Sequence, residues 1–160
     1  MTLTQAQLKS KFFYDPCTGI FTRRVQPFRG PRRTTVGWKS RGYLHVSIGP
    51  HSHYKLHRLA WLYMTGDWPK NQVDHINGVR TDNRWENLRA ATNTLNSHNR
   101  RKPRHGSQTG FLGVRMNRKR FQATIKAYGV SYRLGTYDTP EEAHQVYLSA
   151  KRRLHPGCTL

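Results

Sequence analysis

The sequence predicts an α+β protein built from two small modules. The first is a β-rich N-terminal part that leads into a polar core, and the second is a small three-stranded antiparallel sheet with one helix. Two observations predict this class: apolar residues recur at alternate positions in some segments and at helical spacing in others. A third is the basic segment NRRKPRHGSQT, residues 99–109, which contains no apolar residue and separates the modules. We therefore expect domains at residues 1–104 and 105–160.

The N-terminal part is predicted to start with a helix and continue into strands. Thr4 and Gln7 have the spacing of a capping box for a short helix, which DPCTG at residues 15–19 would end in a turn. GYLHVSI, residues 42–48, alternates apolar and polar side chains as a half-buried strand does. A second strand is expected over residues 54–57.

A helix is predicted next, over the apolar segment RLAWLYM at residues 58–64. Gly66 and then Pro69 follow it, which is typical of a helix end.

The charge of the chain predicts a polyanionic partner. Its 160 residues include 28 Lys and Arg against 8 Asp and Glu, a net charge of +20. Such an excess attracts polyanions and speeds association with them, so nucleic acid is the first candidate and an anionic membrane surface the second. No run of about 18 apolar residues occurs and the first residues lack an apolar signal core, so we expect a soluble, cytoplasmic protein without membrane partners. Cys17 and Cys158 stand apart, which argues against a disulfide framework or a cysteine zinc site.

The most informative stretch is VDHINGVRTDNRWENL, residues 73–88, because it concentrates Asp, His and Asn side chains. Magnesium prefers oxygen ligands, keeps several waters and is commonly held by one or two carboxylates plus substrate phosphate. A phosphodiester nuclease needs little more than such an ion and a positioned base for water. Asp74 offers a hard anionic ligand, and His75 can accept a proton at neutral pH.

Residues 73–100, VDHINGVRTDNRWENLRAATNTLNSHNR, resemble the HNH endonuclease family, especially its phage and intron-encoded homing-type members. The upstream segments GYLHVSI and HRLAWLYMTGDWP are similar to the sequence that often precedes that motif, so the resemblance covers about residues 1–101. It implies a ββα-metal core at about residues 72–101: a strand ending at Asp74 and His75, a polar loop, a strand near 88–92 and a helix from about Asn93.

The resemblance also implies roles for individual residues. His75 corresponds to the general base that activates water, and Asp74 to a metal ligand. Asn87 corresponds to the middle Asn, which orients the histidine and braces the loop, and Asn96 to the second metal ligand. Because Asn stands where imidazole is common, Mg²⁺, or alternatively Mn²⁺, suits the site better than zinc. His98 remains the competing ligand. It lies about 200° around a helix from Asn96, so only one of the two side chains should reach the metal site.

Other polar residues of the region have ordinary structural interpretations. Neighbouring strand residues point to opposite faces, so Asp74 and His75 can serve one ion only if the strand ends or twists there. Asn77 and Asn83 are best explained as turn formers. We expect His57 to be a structural histidine.

The C-terminal module is predicted to hold three short strands and a helix. Phe121, Ala123 and Ile125 alternate with polar residues, and Tyr132 and Leu134 flank an arginine. A helix then begins at Thr139, Pro140 and Glu142, an N-cap followed by a first-position proline. Its apolar stripe would cover the apolar face of the sheet and leave a basic face outside. The stripe consists of Ala143, Val146, Tyr147, Ala150 and Leu154.

GVR, RKRFQATI and YRLGTYDTPEEAHQVY, within residues 107–155, look like the APETALA/ethylene-response-factor DNA-binding domain, which also occurs joined to HNH nucleases. The resemblance implies DNA contacts from four arginines: Arg115, Arg118, Arg120 and Arg133. Phe121 stands where that family usually has Trp, and its alternation predicts an inward side chain. For each arginine, phosphate contact is the alternative to base reading.

These observations lead to the hypothesis of a sequence-guided, homing-type DNA endonuclease that hydrolyses a phosphodiester bond of double-stranded DNA with one divalent ion. One HNH centre nicks one strand, so the protein would act as a monomer or as a dimer on DNA. The alternative is a non-catalytic DNA-binding regulator built on an inactive HNH fold. A third interpretation, RNA or structural polyanion binding, rests on charge alone.

Overall fold

A computed structural model describes residues 3–24, 35–49, 52–103 and 105–159. The chain divides into two compact units, Met1–Thr92 and Asn93–Leu160. The predicted boundary at residue 104 stays a prediction, and Asn99 and Arg101 bond to the C-terminal segment. Within the second unit, Thr159 Oγ1 donates to Asn99 Oδ1 at 2.6 Å, and Arg101 donates to the Thr159 carbonyl at 3.0 Å.

The described residues of the first unit form three antiparallel sheets and two α-helices. The paired strands are β1 with β2, β3 with β4 and β5, and β6 with β7. In chain order the elements are α1 Gln5–Lys11, β1 Phe12–Asp15, β2 Ile20–Arg23, β3 Trp38–Ser40, β4 Tyr43–Ser47, β5 His53–Lys55, α2 Leu56–Thr65, β6 Gln72–His75, a 3-10 turn Trp85–Asn87 and β7 Leu88–Ala91.

The beginning of the first unit differs in part from the prediction. The capping box is confirmed, since Thr4 Oγ1 accepts from the Gln7 backbone and Gln7 Oε1 accepts from the Thr4 backbone. The DPCTG turn, however, does not end that helix but closes the β1–β2 hairpin. Phe12, Tyr14 and Phe21 are each about 1% exposed. Alternate residues of two strands can bury all three aromatic rings on one face, which a continued helix would not do.

The predicted strand over residues 54–57 is also corrected. The strand is His53–Lys55, and α2 already begins at Leu56. This start brings Leu56 and His57 into the buried first turn of the helix. The predicted end at Gly66 is confirmed, because Gly66 adopts the left-handed conformation (φ +89°) and its N–H donates to the Leu62 carbonyl.

α2 supplies the centre of the first core. Leu56, Leu59 and Leu62 are almost completely buried and pack with Leu8 of α1 and the aromatic rings of the hairpin. Burial of a leucine side chain contributes about 1.5–3 kcal/mol, so these few residues fasten the helix to the strands around it.

The second unit contains α3 Asn93–His98, β8 Val114–Asn117, β9 Arg120–Ala127, β10 Val130–Tyr137 and α4 Pro140–Leu154. The strands form one antiparallel sheet, as predicted, and β9 lies in the middle of it. α4 starts as predicted too, with Thr139 Oγ1 accepting from the Glu142 N–H and Pro140 in the first position.

α4 covers one face of this sheet. Ala123 and Ile125 of β9 are buried against Ala143, Tyr147 and Ala150 of the helix. Phe121 packs at the edge of the same cluster, which confirms that its side chain points inward. Tyr132 was expected to help form the apolar face but is 43% exposed. It pairs with Ile125 near the end of the sheet, and a register shift follows between Arg133 and Gly135.

The fold is therefore a mixed α and β structure of small antiparallel sheets and helices, as the sequence predicts. Within the described residues, every helix is too short or too polar to cross a membrane.

Candidate functional site

The candidate site lies in the first unit, where β6 carries Asp74 and His75 and pairs with β7. The two strands pair Asp74 with Arg89 and His75 with Leu88. Both polar side chains are largely buried, with 7% of Asp74 and 3% of His75 exposed. Buried polar groups require partners, so the contacts of these two residues define what they can do.

Asp74 is bound by its cross-strand neighbour. Arg89 donates from Nε at 3.1 Å and from a terminal nitrogen at 2.9 Å, both to Asp74 Oδ2. An ionised carboxylate accepts about four hydrogen bonds or ligand bonds, so this ion pair by itself leaves capacity for a metal ion. Asp74, the residue predicted to be a metal ligand, is thus held in place by Arg89.

His75 is oriented by Asn83, a residue that we expected to form an ordinary turn. His75 Nε2 and Asn83 Oδ1 are 3.0 Å apart. A carboxamide oxygen can only accept, so Nε2 carries the proton and the lone pair of the neutral imidazole lies on Nδ1. Asn83 is 1% exposed, far more buried than a turn-forming surface residue requires. The turn interpretation is therefore incomplete, and Asn83 is a site residue that sequence reasoning missed.

The β1–β2 hairpin holds Asn83 in place. Tyr14 Oη donates to the Asn83 carbonyl at 2.7 Å, and the Trp85 N–H donates to the Pro16 carbonyl at 2.9 Å. Gly19 sits at the hairpin turn with φ +73°, and a Cβ added there would lie 2.4 Å from the Asn83 carbonyl carbon. Only glycine permits this approach, so the hairpin turn is matched to the backbone that carries Asn83.

Asn87 braces the loop between β6 and β7. Its Oδ1 accepts from the Asn77 N–H at 2.9 Å, and its Nδ2 donates to the Asp82 carbonyl at 2.7 Å. Its carbonyl also accepts from the Ile76 N–H at 2.9 Å. Asn87 is 5% exposed, and these bonds fasten both ends of the loop.

Asp82 completes the loop. Arg84 donates to both Asp82 oxygens, and Asn77 Nδ2 donates to Oδ2 at 2.7 Å. Arg84 in the first place, and then Asn77, lower the pKa of Asp82 to about 2. Asn77 also accepts from the Val79 N–H at 2.8 Å, which is the turn role predicted for it.

His57 and Tyr43 surround the imidazole of His75. The rings of His57 and His75 lie 4.9 Å apart at 69°, while Tyr43 lies 5.2 Å from His57 and 6.1 Å from His75. Burial lowers the pKa of His57 to about 3, and burial also lowers the pKa of His75 below its usual 6.5. Both rings are therefore neutral near pH 7, and His75 has the charge state that a proton acceptor needs.

His57 was expected to be structural, and its burial fits that expectation. Its contact with His75 was not foreseen. The only signal in the sequence was a polar residue at the start of an otherwise apolar helix.

Asn96 and His98 lie on α3 in the second unit. Asn96 is half-buried. The His98 ring stacks on His155 with centroids 3.9 Å apart and planes at 7°. His98 thus has a packing role inside the second unit. Across the described residues, no cluster of three or more His, Cys, Asp and Glu side chains is arranged to hold a metal ion.

The four arginines of the C-terminal sheet are all exposed. Arg115 donates twice to Gln122 Oε1, at 2.8 and 2.6 Å, and Arg133 donates to Thr136 Oγ1 at 2.9 Å. Arg120 pairs with Asp138 at 2.8 Å, and Arg118 occupies the β8–β9 turn with φ +56°. Three of these guanidinium groups are thus held by neighbours: two by residues of the sheet and one by Asp138, which follows β10.

In a comparison with protein-family models, residues 54–98 match the model described as HNH endonuclease. Comparison with curated proteins found no match, and comparison with solved structures found none. The matched segment runs from β5 through α2, β6 and β7 to the end of α3. It contains Asp74, His75, Asn83, Asn87 and Asn96. The resemblance of residues 107–155 to the APETALA/ethylene-response-factor DNA-binding domain lies outside this match and stays a prediction. Residues 54–98 are therefore similar to the HNH endonuclease family, and this match supports a nuclease function that involves DNA.

Proposed function

We propose that the protein is a metal-dependent DNA endonuclease in which His75 activates the water that attacks a phosphodiester bond. The observation that carries this proposal is the environment of His75: a buried, neutral imidazole whose Nε2 is held by Asn83, inside the matched HNH segment. Nδ1 is then the atom that takes the proton from water. Asn83 and Asn87 act as positioning residues, Asn83 through the ring and Asn87 through the loop.

Asp74 and Asn96 are the residues that we propose as ligands of one divalent ion. A carboxylate and a carboxamide oxygen are the hard ligands that Mg²⁺ or Mn²⁺ prefers, and two protein ligands suffice for magnesium when water and phosphate complete its coordination. Arg89 fixes the position of the Asp74 carboxylate through an ion pair at 2.9 Å. When bound, the ion would stabilise the charge that develops on the phosphate and on the departing oxygen.

The C-terminal sheet is proposed to position the substrate, which we take to be double-stranded DNA. A β-sheet can enter the major groove, and Arg115, Arg118, Arg120 and Arg133 are exposed on a strongly basic chain. We propose that these residues contact the backbone and, in part, bases. A homing-type role and an APETALA-like C-terminal domain, from about residue 105, belong to the same proposal.

One active site cuts one strand, so the product we expect from a single visit is a nick. The test is a supercoiled plasmid incubated with Mg²⁺, Mn²⁺ or EDTA, comparing the wild type with His75→Ala. Loss of the general base should slow nicking by at least about a hundredfold, since general base catalysis contributes that much or more. Tight binding of duplex DNA should remain.

An absence of cleavage on broad DNA libraries in every metal, with duplex binding retained, would favour the non-catalytic regulator. Cleavage that survives in His75→Ala would leave the nuclease but remove His75 as its base. A His75→Gln variant serves as the packing control, because it keeps a polar side chain in the buried position without an imidazole.

A further inference from the structure

Two cations share one aromatic ring beside His75. Tyr43 of β4 has the Lys55 ammonium 4.5 Å from its ring centroid and the Arg80 guanidinium 4.9 Å from it. The centroid of the same ring lies 6.1 Å from that of His75. We call Tyr43, Lys55 and Arg80 the cation cluster. Lys55 comes from the end of β5 and Arg80 from the loop after β6, so two separate segments bring their charges to one ring.

The cation cluster contains no acidic side chain. Among the described residues, no carboxylate oxygen lies within 4.0 Å of the Lys55 or the Arg80 nitrogens. The other arginines of this region differ: Arg84 is paired with Asp82 and Glu86, and Arg89 is paired with Asp74. The positive charge beside His75 is therefore concentrated on two exposed side chains.

The side chains of Lys55 and Arg80 are each held in place by contacts within the folded chain. A cation over an aromatic face gains about 0.5–1 kcal/mol at an exposed site, which favours one rotamer over others. Arg80 also lies along the β3–β4 turn, since a Cβ added at Gly42 would lie 3.5 Å from Arg80 Cδ and 3.6 Å from a terminal nitrogen. Such a side chain loses less freedom when it binds an anion.

We propose that the cation cluster binds a phosphate of the DNA backbone next to the scissile bond. Both cations lie over one ring and neither has a carboxylate of the described residues within 4.0 Å, and a phosphodiester oxygen accepts from an ammonium or from a planar guanidinium. The proximity of Tyr43 to His75 places that phosphate beside the attacked one. This inference rests on the proposed nuclease function, because only there does His75 face a DNA backbone.

The test measures binding, so it does not depend on cleavage. The affinity of the full chain for a linear duplex of mixed sequence is followed by fluorescence anisotropy as salt is varied, in a His75→Ala background. Loss of one phosphate contact lowers the slope of log K against log salt by about 0.9. We expect a decrease of about that size for Lys55→Ala and for Arg80→Ala.

Lys9→Ala is the matched control. Lys9 also lies over a tyrosine, at 5.1 Å from the Tyr63 centroid, and belongs to α1 of the same unit. Its removal should leave the slope unchanged. Unchanged slopes in both cluster variants, or an equal decrease in Lys9→Ala, would overturn the proposal.

Tyr43 provides a second measurement. Tyr43→Phe keeps the ring and should keep the affinity, whereas Tyr43→Leu should lower the affinity about threefold with the slope retained, since both charges remain. Equal affinities of these two variants would show that the Tyr43 ring does not contribute to phosphate binding.

The failure of this inference can be told apart from the failure of the proposed function. If the wild type fails to cleave DNA but the salt slopes of the cluster variants still fall, the phosphate site is supported and the nuclease function is not. If the wild type cleaves DNA but the salt slopes of the cluster variants are unchanged, the nuclease function is supported and the phosphate site is not.

Discussion

The loop at residues 76–87 and the C-terminal sheet are held in shape by different means. In the loop, Asn77, Asp82 and Asn87 bond to backbone groups or to each other, and they replace the regular backbone pairing that the segment lacks. In the sheet, backbone pairing between β8, β9 and β10 sets the frame, and Arg118 and Arg133 project from it into solvent. Because backbone hydrogen bonds hold the sheet together, its exposed arginine side chains are available to contact a binding partner.

This difference predicts which measurement each region affects. A substitution in the loop changes the shape of the loop itself and therefore the orientation of His75. A substitution on the open face of the sheet removes one contact and leaves the frame intact. Loop variants should therefore change the rate of cleavage at saturating DNA, and sheet variants should change affinity.

The largest effect is expected from Gly19→Ala. The new Cβ would meet the Asn83 carbonyl carbon at 2.4 Å, in a left-handed conformation that alanine disfavours. We expect a loss of about 3 kcal/mol or more in the free energy of unfolding, and cleavage should be lost as well. Urea denaturation measures the first quantity. Gly49→Ala is the control: its φ is +86° but no atom lies within 4 Å, so only the backbone strain of about 1–2 kcal/mol applies.

Asn83→Ala should give the next largest effect. Loss of a buried hydrogen bond costs about 1–3 kcal/mol, which corresponds to roughly 5- to 150-fold in rate if the bond orients the base. Single-turnover cleavage at saturating DNA measures it, with anisotropy as the control for binding. A normal rate in a folded Asn83→Ala protein would contradict the comparison, because the loop would then not control His75.

His57→Phe sharpens the comparison through pH. Burial lowers the pKa of His57 from 6.5 to about 3. Between pH 6.5 and about pH 3, His57 is therefore protonated in the unfolded chain but neutral in the folded chain. Stability from this residue is present above pH 6.5 and is lost as pH falls, by about 1.4 kcal/mol per pH unit for one proton. In His57→Phe this part of the acid destabilisation should disappear. Urea titrations at several pH values measure the slope, and an unchanged slope would mean that His57 is protonated in the folded state.

Arg133→Ala should have the smallest effect. The arginine is exposed and donates to Thr136, so its removal leaves the sheet intact. We expect a loss of affinity of about two- to fivefold and a decrease of about 0.9 in the salt slope, with an unchanged rate at saturating DNA. A fall in that rate would break the division between the two regions.

Local patterns predicted much of the fold. Capping residues identified the starts of α1 and α4, Gly66 the end of α2, and alternation the central strand of the C-terminal sheet. The β1–β2 hairpin was missed because its turn also suits the end of a helix. Only the burial of Phe12, Tyr14 and Phe21 in the assembled core decides between these outcomes.

The candidate site was also predictable only in part, because some of its contacts depend on how distant segments pack. Asp74, His75 and Asn87 lie in one short stretch with recognisable chemistry, and the family match includes them. The contacts of His75 with Asn83, His57 and Tyr43 depend on tertiary packing, since Tyr43 and His57 come from β4 and α2. Asn83 looked like a turn residue because the pattern Asp-Asn carries no information about what packs behind it.

The hydrogen bond from Tyr14 to Asn83 joins residues 69 positions apart in the chain. Contacts between distant residues form after local ones, because a long loop must close before they are rewarded. The hairpin is local and can form early, whereas the orientation of the proposed base must wait until the hairpin and the loop dock. A growing or partly folded chain would already carry the charge that holds DNA but not yet an oriented base. In the proposed nuclease, folding must therefore be complete before the chain can cleave DNA.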